Sequence, residues 1–247
     1  MELFHYPNTE VSTSLYGFDF SLNVTDNINA FLKAVHKVKK RYFNFNFEEM
    51  NYYASCVNEE SLSHVERVFA YELYYQWSKI IGRRKWVLNG EAGKYLQWFY
   101  KNRNETYIKQ KYPDLVQYRL NGNDEDSHMI VCEIKREKNV AEGLQEDILK
   151  LYGFTCSSEN DTSKGRWFQS YKCGIFLMIG NDISMLQRNL EINKSRRYGT
   201  WKVFKQIPSD ETKKILCVLC KEKDGKISVQ YQSLYNIVED KLNNKSR

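Results

Sequence analysis

An α/β domain is predicted by three observations. Amphipathic helical patterns alternate with strand-like runs, so that from residue 63 the order reads helix, three strands, helix, strand. Two of the runs, HMIVCEIKR at His128–Arg136 and CGIFLMIG at Cys173–Gly180, are apolar enough to lie inside a sheet. A chain of 247 residues can bury one full core, and no low-complexity linker divides it. The expected organisation is a helical arm at 1–62, a core at 63–180, and a strand-rich, basic extension of the same domain at 181–247.

The elements follow in order. From Asn27 to Tyr42 the apolar set Ile28, Phe31, Leu32, Val35, Val38 and Tyr42 recurs every three or four residues, leaving Lys33, Lys37, Lys39 and Lys40 on an outer, basic face. A second helix is expected from Ser63 to Ile81, with Ser63 and Glu66 as a capping box, Val65, Phe69, Leu73, Trp77 and Ile80 along one face, and Gly82 as the stop. A short strand at Trp86–Glu91 and a polar, aromatic stretch to Lys111 precede a strand at Tyr112–Leu120. Turn residues Asn121–Asp124 then suggest an antiparallel hairpin into His128–Arg136. Asn139 is placed to cap a helix carrying Ala141, Leu144, Ile148 and Leu151, with Gly153 just past its last turn. After a polar loop at Ser157–Arg166 and the Cys173 strand come a helix near Asp182–Ile192 and strands at Trp201–Gln206, Ile215–Cys220 and Ile227–Tyr231. A terminal helix at Leu234–Leu242 completes the series.

Composition narrows the function classes. No apolar run of about 18 residues occurs, and MELFHYPNTE lacks the pattern of a secretory signal, so a cytoplasmic protein is expected. Six scattered cysteines do not form a disulfide framework. Cys217 and Cys220 make a CxxC, but inside the strand-like ILCVLC residues three apart point to opposite faces, so core thiols are expected rather than a metal knuckle. Residues 161–247 hold 17 Lys and Arg against 9 Asp and Glu, a net +8, whereas the first 160 carry −2. A basic C-terminal third suits either a phosphate backbone or a solvated lysine-rich surface, and the 18 Tyr, 13 Phe and 5 Trp suit a large core or stacked bases.

The chemistry is concentrated in the hairpin. Four acidic-x-Lys triplets occur, of which Glu211–Lys213 lies in a polar stretch, Asp224–Lys226 in a turn and Glu239–Lys241 in a helix; only Glu133-Ile134-Lys135 closes an apolar strand. There Glu133 and Lys135 share one face while Ile134 packs on the other, and Asp114 opens the neighbouring strand. Two hard carboxylates suit Mg²⁺ or Mn²⁺, with the Ile134 carbonyl as a further ligand. Lys135 could orient a water, lower its pKa, or stabilise charge growing on a phosphorane. The bland alternative is a strand cap beside an exposed ion pair of little energetic weight.

Pro113-Asp114, eighteen residues, then Glu133-Ile134-Lys135, within that element order, resembles the PD-(D/E)XK nuclease superfamily over roughly Ser63–Gly180. The resemblance implies a restriction-endonuclease-like core, in which a mixed central sheet is flanked by helices, and metal-dependent hydrolysis of phosphodiester bonds, mainly in DNA. It also implies a further acidic residue, for which Glu66 is the best match and Glu72 and Glu91 are alternatives. Gln145 matches a helix position of exonuclease-like members, but Leu149 stands where those carry Tyr. Lys150 lies about one turn after Gln145 and could reach a phosphate, or be an ordinary solvent-facing lysine. Lys194, Arg196, Arg197, Lys202 and Lys205, interleaved with Tyr198 and Trp201, form a basic run suited to a nucleic-acid backbone or to a charged helix end. The expectation is a Mg²⁺-dependent deoxyribonuclease; the alternative is a non-hydrolytic nucleic-acid-binding or protein-interaction module on the same fold.

Overall fold

The computed structural model describes residues 14–15, 18–19, 22–43, 59–82, 86–90, 94–99, 106–111, 113–119, 128–136, 140–155, 171–180, 186 and 209–237. Two short strands, β1 (Ser14–Leu15) and β2 (Phe18–Asp19), pair antiparallel ahead of α1 (Leu22–Lys37). A 3-10 turn at Lys40–Tyr42 and α2 (Glu59–Ile81) follow. Next come β3 (Val87–Gly90), β4 (Lys94–Phe99), β5 (Thr106–Lys111), β6 (Leu115–Tyr118) and β7 (His128–Arg136). The chain continues through α3 (Val140–Thr155), β8 (Cys173–Ile179), α4 (Ser209–Lys213), β9 (Ile215–Lys223) and β10 (Lys226–Ser233), then a helical turn at 234–237.

Six strands form one mixed sheet in the order β10-β9-β8-β7-β6-β3. β7, β8 and β9 run parallel, while β3, β6 and β7 form an antiparallel series and β10 returns antiparallel along β9. The expected hairpin between the opening strands is therefore present, and the C-terminal strands extend the same sheet. Parallel central strands buried on both faces account for the unbroken apolar sequence of β8, every residue of which is buried.

The pleat divides the core in two. On one face Ile130, Cys132 and Ile134 of β7 and Ile175 and Leu177 of β8 meet Ile28, Phe31, Val35, Phe69, Leu73 and Trp77 of α1 and α2. Phe31 and Trp77 pack edge to face with ring centroids 5.0 Å apart. On the other face Val131, Phe176, Met178, Cys217 and Leu219 meet Leu144, Ile148 and Leu151 of α3 and Leu234 and Ile237 of the last turn. Each such fully buried aliphatic or Phe side chain contributes roughly 1.5–3 kcal/mol. Gly174 lets α3 approach β8 closely, because a Cβ there would lie 3.2 Å from Thr155 Cγ2 and 3.4 Å from Leu151 Cβ. Cys217 and Cys220 fall on opposite faces, both buried and free, as strand alternation requires.

Several expected boundaries are corrected. α1 starts at Leu22 rather than Asn27, and Asn27 is instead a buried interior residue whose amide bonds Asn23 O and meets Gln117 of β6. α2 starts at Glu59, so Ser63 lies inside the helix and not at its N-cap. Gly153 lies within α3, which runs on to Thr155, where the hydroxyl returns a hydrogen bond to Leu151 O at 3.0 Å. The stretch read as polar and aromatic holds the antiparallel pair β4–β5. The strands expected at Trp86–Glu91 and Tyr112–Leu120 contract to β3 and β6, and Glu211-Thr212-Lys213 lies in α4. Asn121–Asp124, Asn139, Ser157–Arg166, Asp182–Ile192 apart from the buried Leu186, Trp201–Gln206 and the chain after residue 237 lie outside the described residues. Among the described residues no helix is long and apolar enough to cross a membrane.

Candidate active site

The site forms where β6 stops and β7 continues. Pairing between them ends at Leu115 opposite Cys132, leaving the β6 side of the last four residues of β7 without that strand. Backbone N–H groups there still need acceptors, and two carboxylates supply them. Asp114 Oδ2 accepts from Ile134 N–H at 2.6 Å, and Glu66 Oε1 on α2 accepts from Arg136 N–H at 3.0 Å. Glu66 thus joins helix to strand at the site instead of capping α2. Strand geometry places the Ile134 carbonyl on the same side of β7 as its N–H, toward Asp114.

The α3 face of β7 carries the other charges. Glu133, 3% exposed, points there with Lys135, while Ile134 is buried in the opposite core, the alternation expected of a strand. Lys150 Nζ on α3 lies 2.6 Å from Glu133 Oε2 and 2.8 Å from Asp147 Oδ1, and Lys135 Nζ lies 3.2 Å from Asp147 Oδ2. Asp147 therefore holds both lysines. The second oxygen of Glu133, Oε1, is buried without a hydrogen-bond partner.

Electrostatics in this enclosure are dominated by burial. Asp114 is pushed up to about 6 by desolvation, against the pull of the Ile134 N–H and of Lys150. Burial and then the Asp114 charge push Glu133 well above the usual carboxylate range, although Lys150 opposes this. Glu66 is also raised, again mainly by burial. Desolvation works to discharge Lys135, but Asp147 and Glu66 outweigh it and leave the ammonium with a raised pKa. Lys150 is raised as well, its desolvation exceeded by Glu133 and Asp147.

Of the residues singled out from sequence, the structure brings together Glu66, Asp114, Glu133, Ile134, Lys135 and Lys150. Lys150 is neither the ordinary solvent-facing lysine nor an isolated surface cation: its side chain is 14% exposed and engaged by two carboxylates. Glu72 accepts from Gln76 at 2.9 Å along α2 instead. Glu91, Lys194, Arg196, Arg197, Lys202, Lys205, Tyr198 and Trp201 lie outside the described residues. Asp147 was missed. Its signal was present, because it stands three residues after Leu144 and four before Leu151, which puts a carboxylate on the apolar stripe of α3.

Chemically, carboxylate oxygens are the donor type a hard divalent cation takes, and Glu133 Oε1 has no hydrogen-bond partner. Among the described residues, however, no three His, Cys, Asp or Glu side chains are grouped closely enough to hold a metal by themselves. Asp114 and Glu133, with Glu66 completing the shell, would be the protein's acidic ligands, beside the Ile134 carbonyl and water. Comparison of the chain with protein-family models, curated proteins and solved structures finds no match.

Proposed function

We propose that the chain is a metal-dependent nuclease hydrolysing phosphodiester bonds in DNA, with Asp114, Glu133, Lys135 and Glu66 as its working residues and Mg²⁺ or Mn²⁺ as cofactor. The observation that carries this reading is the convergence of Asp114, Glu133 and Lys135 where β7 runs on past the end of β6, with a buried Glu133 oxygen left unpartnered. With the separate β4–β5 pair inserted between β3 and β6, the order α2, β3, β6, β7, α3, β8, with β6 and β7 antiparallel and β7 and β8 parallel, supports a restriction-endonuclease-like core. The basic run Lys194, Arg196, Arg197 and Lys202 supports a DNA partner by sequence alone.

A bound divalent ion would supply Lewis-acid polarisation of a phosphate and a more acidic water. The chain supplies the rest. Asp114 is fixed by the Ile134 N–H, so one carboxylate oxygen is oriented before any ligand arrives. Lys135 is held by Asp147 and stays protonated, which suits it to orient a water through a hydrogen bond and to stabilise negative charge on the phosphoryl oxygens, not to act as a base. Lys150 is held against Glu133, and its release from that group would place an ammonium within reach of a phosphate.

The non-hydrolytic alternative draws support from one observation: Glu133 and both lysines are already paired internally. A cleavage assay on linear, circular and branched DNA with Mg²⁺ or Mn²⁺ separates the two. Cleavage abolished by EDTA and by Asp114→Ala is the expected result. Binding without cleavage would favour the alternative, and activity in EDTA or unchanged activity in the variant would refute the site.

A further inference from the structure

The aromatic excess of the sequence has one exposed expression among the described residues. The large hydrophobic side chains left exposed there are Tyr71, Tyr74 and Tyr75, at 67%, 38% and 48%, all within five residues of α2. Arg67, Tyr71 and Tyr74 follow one another at steps of four and three, so they form a single stripe along the helix. That stripe forms one wall of a cavity of about 280 Å³ whose other lining includes Asn89 of β3, Leu115 and Asp114. The cavity thus borders both the tyrosines and Asp114, the residue that opens the candidate active site. Outside the cavity lining, Lys79 Nζ lies 4.0 Å from the ring centroid of the exposed Tyr75, adding a second cation beside the aromatics.

We propose that this stripe is a stacking path for single-stranded nucleic acid, and that the substrate enters the Asp114 site as an unpaired strand. The inference rests on the reading of that site as one acting on phosphodiester bonds. Its chemistry is that of a single-strand binder: aromatic faces for successive bases, cations for the backbone, and an amide at Asn89 able to donate and accept at a base edge. Bases in a duplex are already stacked on one another, so tyrosine rings find no free base face there and are left only hydroxyl contacts to the backbone. The cavity is at the small end for a ligand site, which suits a single base rather than a helix of nucleic acid.

Fluorescence anisotropy in EDTA, where hydrolysis is blocked, tests the path with labelled oligodeoxythymidylate, oligouridylate and a DNA duplex. The full chain is expected to bind the single strands at least tenfold more tightly than the duplex. Combined Tyr71→Ala and Tyr74→Ala is expected to weaken single-strand binding by on the order of tenfold or more while leaving duplex binding unchanged. Tyr71→Phe with Tyr74→Phe, which keeps both rings, should retain binding within about twofold. The two single strands show whether the sugar matters to the path. Equal losses on duplex, no loss in the alanine variant, or a loss in the phenylalanine variant as large as in alanine would overturn the proposal. Because no cleavage is required, a tyrosine effect without any hydrolytic activity would sink the nuclease reading and leave the stacking path standing.

Discussion

β7 and β8 lie side by side, parallel and in register, yet their last four residues diverge in chemistry. Glu133 faces Phe176, Ile134 faces Leu177, Lys135 faces Met178 and Arg136 faces Ile179. β8 crosses the same depth of the sheet with apolar side chains alone, so the fold itself does not require charge at that level. Placing Glu133, and behind it Asp147 and Lys150, in this layer costs several kcal/mol of desolvation per ion, returned only in part by their mutual pairing. The two strands show where packing governs the choice of residue and where some other demand does.

Replacement on the apolar member should give the largest stability loss. Phe176→Ala is expected to lower unfolding free energy by about 3–5 kcal/mol, read from urea denaturation, because it leaves a cavity between α3 and the sheet. On the charged member the effect should appear in chemistry instead. If the proposed nuclease function holds, Glu133→Gln should reduce DNA cleavage by about 100-fold or more, equivalent to roughly 2.7 kcal/mol of barrier, with a change in unfolding free energy of about 1 kcal/mol or less. A Glu133→Gln variant as unstable as Phe176→Ala would erase the contrast between the strands.

The pH dependence sharpens it further. Asp114 titrates at about 6 in the folded protein against an ordinary value of 3.8, so the folded state binds its proton more tightly than the unfolded state does. Its stabilising contribution is present in full below about pH 4 and is lost as pH rises through about 6. Asp114→Asn, which keeps an acceptor for the Ile134 N–H, should therefore be more stable than the parent at pH 7.5 by about 2–3 kcal/mol, and the difference should vanish near pH 4. Thermal melts across that range check the sign. The smallest effect is expected away from both strands: Gly225→Ala, at φ +75° in the β9–β10 turn, should cost about 1 kcal/mol and leave cleavage unchanged.

Much of the sheet was legible because its strands carry strong local signals. The run His128–Arg136 is β7 to the residue, and Cys173–Ile179 is buried throughout. Asp224-Gly225 marked a hairpin turn, and both residues adopt positive φ there. Legibility failed where a local pattern had two meanings. Ser63 and Glu66 have capping-box spacing, yet the helix begins earlier and Glu66 serves Arg136 N–H instead. β4 and β5 were hidden in a stretch whose polar and aromatic residues do not distinguish strand from loop. Lys150 looked like a surface lysine because nothing local reveals that the opposing strand offers it a carboxylate.

The α/β class, the strand that bears Glu133 and Lys135, and the opposite facing of Cys217 and Cys220 are all written in local sequence. These follow from side-chain periodicity, which is set within a few residues of chain. Only the tertiary structure decided that β7 outruns β6, that Asp114 and Glu66 cap the freed N–H groups, and that Asp147 holds two lysines around Glu133. Those features depend on where one strand ends against another and on which helix covers that end. They are relations between residues 20 and 70 positions apart, which hydrophobic patterning does not encode.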